Sequence, residues 1–210
     1  FVIEDAAHAI GSEYQALPIG SCQYSDAVVF SFHPVKTIAA GEGGALLLND
    51  AALGERVRQF ACHGIERNPK QFRNKPSSPC YYEMQLLGFN YRLSDIHAAL
   101  ALSQLQRLPS FIEKRKALVD SYNQALNHCP VKLPSAMGGG RLACESIKVA
   151  WHVYVIECKN KIIRDALYDF LVKNNVMPNI HYIPIYRQPF YQDDEKASIS
   201  NVAKYEIEYP

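Results

Sequence analysis

Apolar residues come in short, nearly continuous runs in the first part of this chain and at helical spacing later. Phe1-Val2-Ile3-Glu4 reads as a short buried strand, followed from Ala6 to Gly11 by a tight run of small residues ended by glycine. Asp26 to Phe32 predicts a second strand and Ala45-Leu46-Leu47-Leu48 a third. Leu53, Val57 and Phe60 share one face of a helix over Ala51 to Cys62, stopped near Gly64. Apolar strands alternating with helical segments predict an α/β architecture with a mostly parallel sheet.

Residues 65–90 break this pattern. They are polar and rich in Pro, Asn, Lys and aromatic residues, which predicts a long loop of the kind that often carries function. Ser94 is placed to cap a helix through Ile96, Ala99, Leu100, Leu102 and Leu105. A second helix is expected after Pro109, through Phe111, Ile112, Leu118, Tyr122 and Leu126. The pair would join a larger domain, 1–115, to a smaller one, 116–210. In the latter, 130–140 reads as a turn-rich connector and Val149 to Cys158 as an alternating strand. Lys161 to Asn174 reads as an amphipathic helix, Val176 to Ile185 as extended chain and Tyr186 to Pro210 as irregular.

Composition narrows the function classes. The chain has 210 residues, 48% hydrophobic and 20% charged, which is ordinary for a globular protein with a sizeable core. A net charge of +1 gives no global field that would draw nucleic acid or an anionic membrane. Apolar stretches are strand-sized, so no membrane span is expected, and no signal peptide is visible. The six cysteines are scattered without a Cys-x-x-Cys pair or a zinc-like spacing, which suggests reduced thiols in a cytoplasmic protein and no metal site. Phe1 stands inside an apolar strand, so the sequence reads as a piece of a longer chain, whose sheet edges would expose apolar residues.

The chemistry concentrates in Ser31-Phe32-His33-Pro34-Val35-Lys36 and the following Gly41-Glu42-Gly43-Gly44. A lysine at the end of a buried strand can serve as a nucleophilic amine. Taken alone, Lys36 is better read as a solvated loop lysine. Its setting argues otherwise: glycines let backbone approach a cofactor closely, and the Ser31 hydroxyl can donate to a phosphate oxygen. Asp5 follows the first strand; it is either a turn cap or a carboxylate that holds a pyridinium proton. An amine on one strand end and a carboxylate on another suggest a site for pyridoxal 5′-phosphate, PLP. A nucleotide hydrolase fits poorly, because the Walker pattern Gly-x-x-x-x-Gly-Lys-Ser/Thr is absent. His8 fits equally a packed histidine or a group against the cofactor ring.

Several motifs in order carry a family resemblance. Ile3-Glu4-Asp5-Ala6-Ala7-His8-Ala9-Ile10-Gly11-Ser12, the Ser31 to Lys36 segment, Gly41-Glu42-Gly43-Gly44, His63-Gly64-Ile65, Gly88-Phe89-Asn90-Tyr91-Arg92-Leu93-Ser94-Asp95 and His181-Tyr182-Ile183-Pro184 resemble the DegT/DnrJ/EryC1/StrS nucleotide-sugar aminotransferases. That resemblance implies a fold-type I PLP-dependent aminotransferase: part of a large domain plus a smaller α+β C-terminal domain. It implies Lys36 as the lysine that bonds the cofactor aldehyde and Asp5 as the pyridinium partner. Ser31 matches a phosphate-binding serine, and His8 a position near the ring. Asn90 matches an asparagine that reaches the neighbouring subunit's cofactor, hence a homodimer with shared sites.

Within the family, Ile183-Pro184 with Gln188-Pro189-Phe190-Tyr191, and Ser103-Gln104-Leu105 with Phe111-Ile112-Glu113-Lys114-Arg115, resemble the UDP-4-amino-4,6-dideoxy-N-acetyl-β-L-altrosamine transaminases of pseudaminic acid synthesis. The implied reaction moves an amino group from L-glutamate to C4 of a UDP-linked 4-keto-6-deoxy sugar. His181, Tyr182, Ile183 and Pro184 are the candidates for the sugar side, against a reading of His181 and Tyr182 as ordinary strand packing. Arg67, Lys70, Arg73 and Lys75 could meet a diphosphate, although such runs are usually solvated faces. Four alternatives stand: another nucleotide-linked keto-sugar as substrate, a non-catalytic dimeric homologue, a generic α/β ligand-binding domain, which explains the strands but not the lysine-glycine constellation, and a PLP-dependent sugar dehydratase. Lys36 argues against the last, where histidine is typical.

Overall fold

A computed structural model describes residues 1–134 and 146–192. Two compact units emerge: 1–125 with 146–154, and 126–134 with 155–192. The first unit is built on β1 (Ile3–Asp5), β2 (Glu13–Tyr14), β3 (Leu17–Pro18), β4 (Ala27–Ser31) and β5 (Gly44–Leu48). After β5 come α1 (Ala51–Ala61), β6 (Ile65–Glu66), a 3-10 turn at Pro69–Gln71, β7 (Glu83–Met84) and α2 (Asp95–Leu126). The second unit holds β8 (Val131–Lys132), while β9 (Ile147–Lys148) returns to the first. β10 (Glu157–Cys158), α3 (Lys161–Lys173), a 3-10 turn at Ile185–Arg187 and α4 (Pro189–Gln192) complete the second.

The central sheet has the order β1-β4-β5. β1 runs parallel to β4, with Asp5 opposite Val29, while β5 runs antiparallel to β4, with Ser31 opposite Gly44. The described part of the sheet is mixed, with one parallel and one antiparallel pair. The reason is local: residues 32–43 contain no crossover helix, and without one the chain can only turn back beside the strand it has just left. Val28 and Phe30 point into a cluster with Ala6 and Cys22, joined by Ile10, Ile19, Phe32 and Leu47. The first strand is not the buried strand expected. Phe1 is 82% and Ile3 60% exposed, because β1 is paired on one side only.

α1 forms as predicted. Asp50 caps it by accepting from the Leu53 N–H at 3.0 Å. It stops because His63 (φ +58°) and Gly64 (φ +68°) turn left-handed, and the Gly64 N–H returns to the Gln59 carbonyl at 2.8 Å. α2 departs from expectation. It is one helix of 32 residues with Pro109 inside, not two helices, and it passes residue 115 without a break. Proline removes one helical donor, but Leu108 and Ile112 on either side of it pack against the same backbone turn. A Cβ on Gly11 (φ +85°) would lie 2.5 Å from Ile112 Cδ1 and 3.4 Å from Leu108 Cδ2. Arg107 also lies over the Phe111 ring at 5.1 Å, bridging the proline.

In the second unit α3 follows its predicted span, capped by Asn160 and ended by Asn175 at φ +60°. The expected strand from Val149 to Cys158 is mostly irregular; only Glu157 and Cys158 pair, with Lys132 and Val131. Trp151, His152 and Tyr154 bond to helix α2 instead, through Arg115 and Asn123, which leaves 149–156 without a ladder. Part of the expected connector 130–140, and the tail from 193 on, lie outside the described residues.

The loop 65–90 is not structureless. β6 and β7 pair, and Glu83 gathers the loop around one buried carboxylate. It accepts from the Arg73 and Asn74 backbone N–H groups, the Asn74 side chain, the Tyr81 hydroxyl at 3.0 Å and Gln85 Nε2 at 2.7 Å. The Arg73 N–H is the strongest of these influences, and against the opposing effect of burial they pull the Glu83 pKa from 4.5 to about 2. Tyr81 is raised in turn, chiefly by donating to Glu83. A carboxylate lowered on folding stabilises fully above its unfolded value. Order in 67–85 should therefore hold above pH 4.5 and be lost as pH falls from 4.5 through about 2. Glu83→Gln should remove that acid transition, and amide hydrogen exchange at Arg73 and Asn74 reads both effects; unchanged exchange would refute them.

Candidate active site

Two strand ends and one loop assemble the residues of interest. Asp5 closes β1, and the next amide, Ala6 N–H, still donates to the Val29 carbonyl at 2.9 Å. The parallel pair thus brings Asp5 to the same end as Ser31, the last residue of β4. The Asp5 side chain is exposed, and its Oδ1 accepts from the Ala7 N–H at 3.1 Å. The turn-cap reading of Asp5 is met by Oδ1, and the other oxygen makes no bond to the turn. Ser31 Oγ accepts from the His33 N–H at 3.4 Å, which leaves its proton free to donate elsewhere.

Lys36 lies in the loop between β4 and β5. Phe32 closes that loop twice along the backbone: its N–H donates to the Gly43 carbonyl at 2.8 Å, and its carbonyl accepts from the Ala40 N–H at 2.9 Å. Lys36 itself donates its N–H to the His33 carbonyl at 2.9 Å and is half-buried. Thr37, Ile38 and Ala40, directly after it, are 7%, 1% and 0% exposed. This buried run anchors the lysine. The glycines are the louder signal in the sequence, but Thr37-Ile38-Ala39-Ala40, four small or β-branched residues in a loop, is itself a burial signal.

The glycines also pack tightly against protein. Gly41 (φ +82°) and Gly43 (φ +144°) meet the start of α2, where an added Cβ would lie 3.1 Å from His97 Cδ2 and 2.8 Å from Leu93 Cδ1. At Gly44 a Cβ would lie 2.6 Å from the Phe30 carbonyl oxygen. They serve close packing of protein on protein. Ser94 caps α2 there, accepting from the His97 N–H at 3.3 Å while its Oγ meets His97 Nδ1 at 3.0 Å.

Asn90 is placed by a backbone crossing. Cys62 and Asn90 bridge antiparallel, His63 N–H donates to the Phe89 carbonyl at 2.8 Å, and Tyr91 N–H donates to Ala61 at 2.9 Å. Two motifs far apart in sequence, His63-Gly64-Ile65 and Gly88-Phe89-Asn90, are thus one structure. The Asn90 side chain is exposed. His8 is exposed, and its ring meets His152 edge-on, centroids 4.5 Å apart. His152 is an addition to the residues expected here. Its only signal in the sequence is its place beside Trp151 in a run that alternates like a strand. His181, Tyr182, Ile183 and Pro184 are exposed, irregular chain in the second unit, so the strand-packing reading of them does not hold. The rings of His181 and Tyr182 contact each other at 4.9 Å.

Among the described residues, no group of three or more His, Cys, Asp or Glu is gathered as for a metal ion, and no helix is long and apolar enough to cross a membrane. Cys22, Cys62, Cys80, Cys129 and Cys158 are free thiols.

A carboxylate and a hydroxyl on adjacent strand ends, followed by a closed lysine loop, mark this as part of an α/β aminotransferase fold. The chain belongs to the DegT/DnrJ/EryC1/StrS aminotransferase family, whose model matches residues 1–206. The spore coat polysaccharide biosynthesis protein SpsC of Bacillus subtilis is 32% identical over 213 residues, covering 98% of this chain and 52% of SpsC. Among solved structures, Helicobacter pylori PseC, an aminotransferase involved in the biosynthesis of pseudoaminic acid, superposes with a TM-score of 0.79 at 29% identity, over 96% of this chain and 50% of PseC. The candidate sugar aminotransferase Spr1654 of Streptococcus pneumoniae, in its PLP form, gives a TM-score of 0.76 at 26% identity, over 90% of this chain and 46% of its own. The chain spans about half the length of the relatives it matches.

The crossing that places Asn90 has no room for a side chain. A Cβ on Gly88 would lie 2.2 Å from the Gly64 nitrogen and 2.6 Å from the His63 carbonyl carbon. Gly88→Ala should cost about 2 kcal/mol or more, since backbone cannot move aside as a side-chain tip can. Chemical denaturation checks this; a loss under about 0.5 kcal/mol would show that the crossing is loose.

Proposed function

We propose that this chain carries the lysine-bearing part of a PLP-dependent aminotransferase that acts on a nucleotide-linked keto-sugar. The observation behind it is the shared strand end: Asp5 and Ser31 on adjacent parallel strands, with Lys36 anchored in the loop that follows. This donor set suits the cofactor's three handles, with a carboxylate for a ring N–H, a hydroxyl for a phosphate and an amine for an aldehyde. When bound, PLP supplies an aldehyde that holds an amino group and a ring that accepts electron density.

The residues then divide the work. Asp5 would keep the ring nitrogen protonated, as a carboxylate offered to a ring N–H. Ser31 donates its hydroxyl to a phosphate oxygen. Lys36 Nζ, as a neutral amine, would take the proton from the amino-bearing carbon of the donor and hold it as an ammonium, and in the second half-reaction an ammonium there would deliver a proton to the sugar carbon. His8 lines the ring side. Asn90, with its exposed amide, reaches toward the site of a second subunit in a homodimer. His181, Tyr182, Ile183 and Pro184 would face the sugar.

For the substrate, we infer a UDP-linked 4-keto-6-deoxy-N-acetyl-hexosamine aminated at C4, with L-glutamate as donor. The likeness to PseC supports it. The likeness to SpsC, named for spore coat polysaccharide synthesis, supports a second reading, another nucleotide-linked keto-sugar.

Incubating the full-length protein with PLP, reducing with borohydride and mapping the product by mass spectrometry should place the pyridoxyl group on Lys36. Label spread evenly over surface lysines would overturn the assignment. In the full-length protein, Lys36→Ala should lower transamination by about 10²- to 10⁴-fold or more, the scale of a lost acid–base group. Asp5→Asn should slow turnover as well; near-normal rates would leave Asp5 as a turn cap only. Mass-shift assays across several UDP-4-keto sugars separate the two substrate readings.

A further inference from the structure

The segment that carries His152 is fixed to the first unit at several points. β9 pairs with β2, Glu13 opposite Lys148 and Tyr14 opposite Ile147. Lys148 Nζ meets Glu13 Oε1 at 2.7 Å, and the Gln15 N–H donates to the Ser146 carbonyl at 2.8 Å. The Ala150 N–H donates to Ser12 Oγ at 2.9 Å, and Ala150 is 3% exposed. The His152 carbonyl accepts from Arg115 Nη1 at 2.8 Å, which ties it to α2 as well. His152 therefore stands on a rigid rail. His8 stands on the tip of a surface turn closed by Ala9 N–H to the Ala6 carbonyl at 2.9 Å, three residues beyond Asp5.

We propose that His152 is a positioning residue for His8. The two rings meet edge to face, at 4.5 Å and 63°, a geometry that aromatic rings favour. The contact sets the His8 ring against a side chain whose backbone the fold holds, and so narrows the choice of His8 rotamer. A ring held in one rotamer loses less freedom when a flat aromatic ligand docks beside it. The inference rests on the reading that PLP binds at the Asp5 and Lys36 end. It adds to that reading a supporting residue from a segment 144 positions downstream of His8.

The test uses the full chain, PLP itself as probe, and NMR of the imidazole carbons. His152→Ala should shift the His8 ring signals, by removing the neighbouring ring current, and weaken PLP uptake by about three- to tenfold. His152→Phe, which keeps a ring, should restore uptake to within about twofold. His8→Ala should cost as much as His152→Ala, and the double variant no more than either, because the pair acts as one unit. If His152→Ala does not fold, the His8→Ala and His152→Phe arms still decide: His8→Ala without effect on uptake, or His152→Phe as poor as a variant without the ring, overturns the proposal. Uptake and His8 signals unchanged in His152→Ala would overturn it while leaving the PLP reading intact. A parent chain that takes up no PLP on Lys36 would overturn that reading, and the inference with it.

Discussion

Phe32 holds the candidate site together through its backbone alone. Its N–H and carbonyl both bond across the loop that contains Lys36, to Gly43 and Ala40. Because Phe32 follows β4 directly, the loop inherits the position of the sheet rather than drifting as a surface loop would. The antiparallel return into β5 is the same constraint seen from the other side, since a loop closed on its own root cannot cross over to make a parallel neighbour. Burial of Ile38 and Ala40 then limits where the intervening Lys36 can go. Four residues lie between Ser31 and Lys36, and the backbone of that interval is bonded at Phe32 and His33.

Much of this is legible in the order of the residues. The strands around Val28 and Leu46, helix α1 with its Asp50 cap, and α3 all follow from period and capping, which act locally. The placement of Asp5 and Ser31 at one end of adjacent strands, with Lys36 in the loop that follows, is legible as well, because short strands leave little choice of where their ends lie. Three things are not. Pro109 looks like a helix break because propensity is local, whereas the continuity of α2 comes from Leu108 and Ile112 packing on Gly11, about a hundred residues away in sequence. The run from Val149 alternates like a strand, yet its carbonyls and Tyr154 are taken by Arg115 and Asn123. The partnership of His8 with His152 is a contact across the fold, and no spacing rule encodes it.

The glycines of the lysine loop show why motif and mechanism need separate arguments. A glycine cluster after a lysine invites the idea of backbone held close to a ligand. Here the atoms that an added Cβ would strike are Leu93, His97 and the Phe30 carbonyl, all protein. The cluster lets the first turn of α2 lie on the loop, and Ser94 and His97 in that turn are bonded to each other. The glycines therefore carry a packing requirement too, which reaches the site through the position of the lysine. A substitution at Gly43 would act first on the contact with Leu93, and only through that contact on Lys36. The same logic holds at Gly64 and Gly88, where two backbones cross with no side chain between them and Asn90 is the residue carried to the surface as a result. In both places the polar group that could do chemistry, Lys36 or Asn90, sits on a side chain with rotamer freedom of its own. Its precision comes from backbone that has no room to be anywhere else.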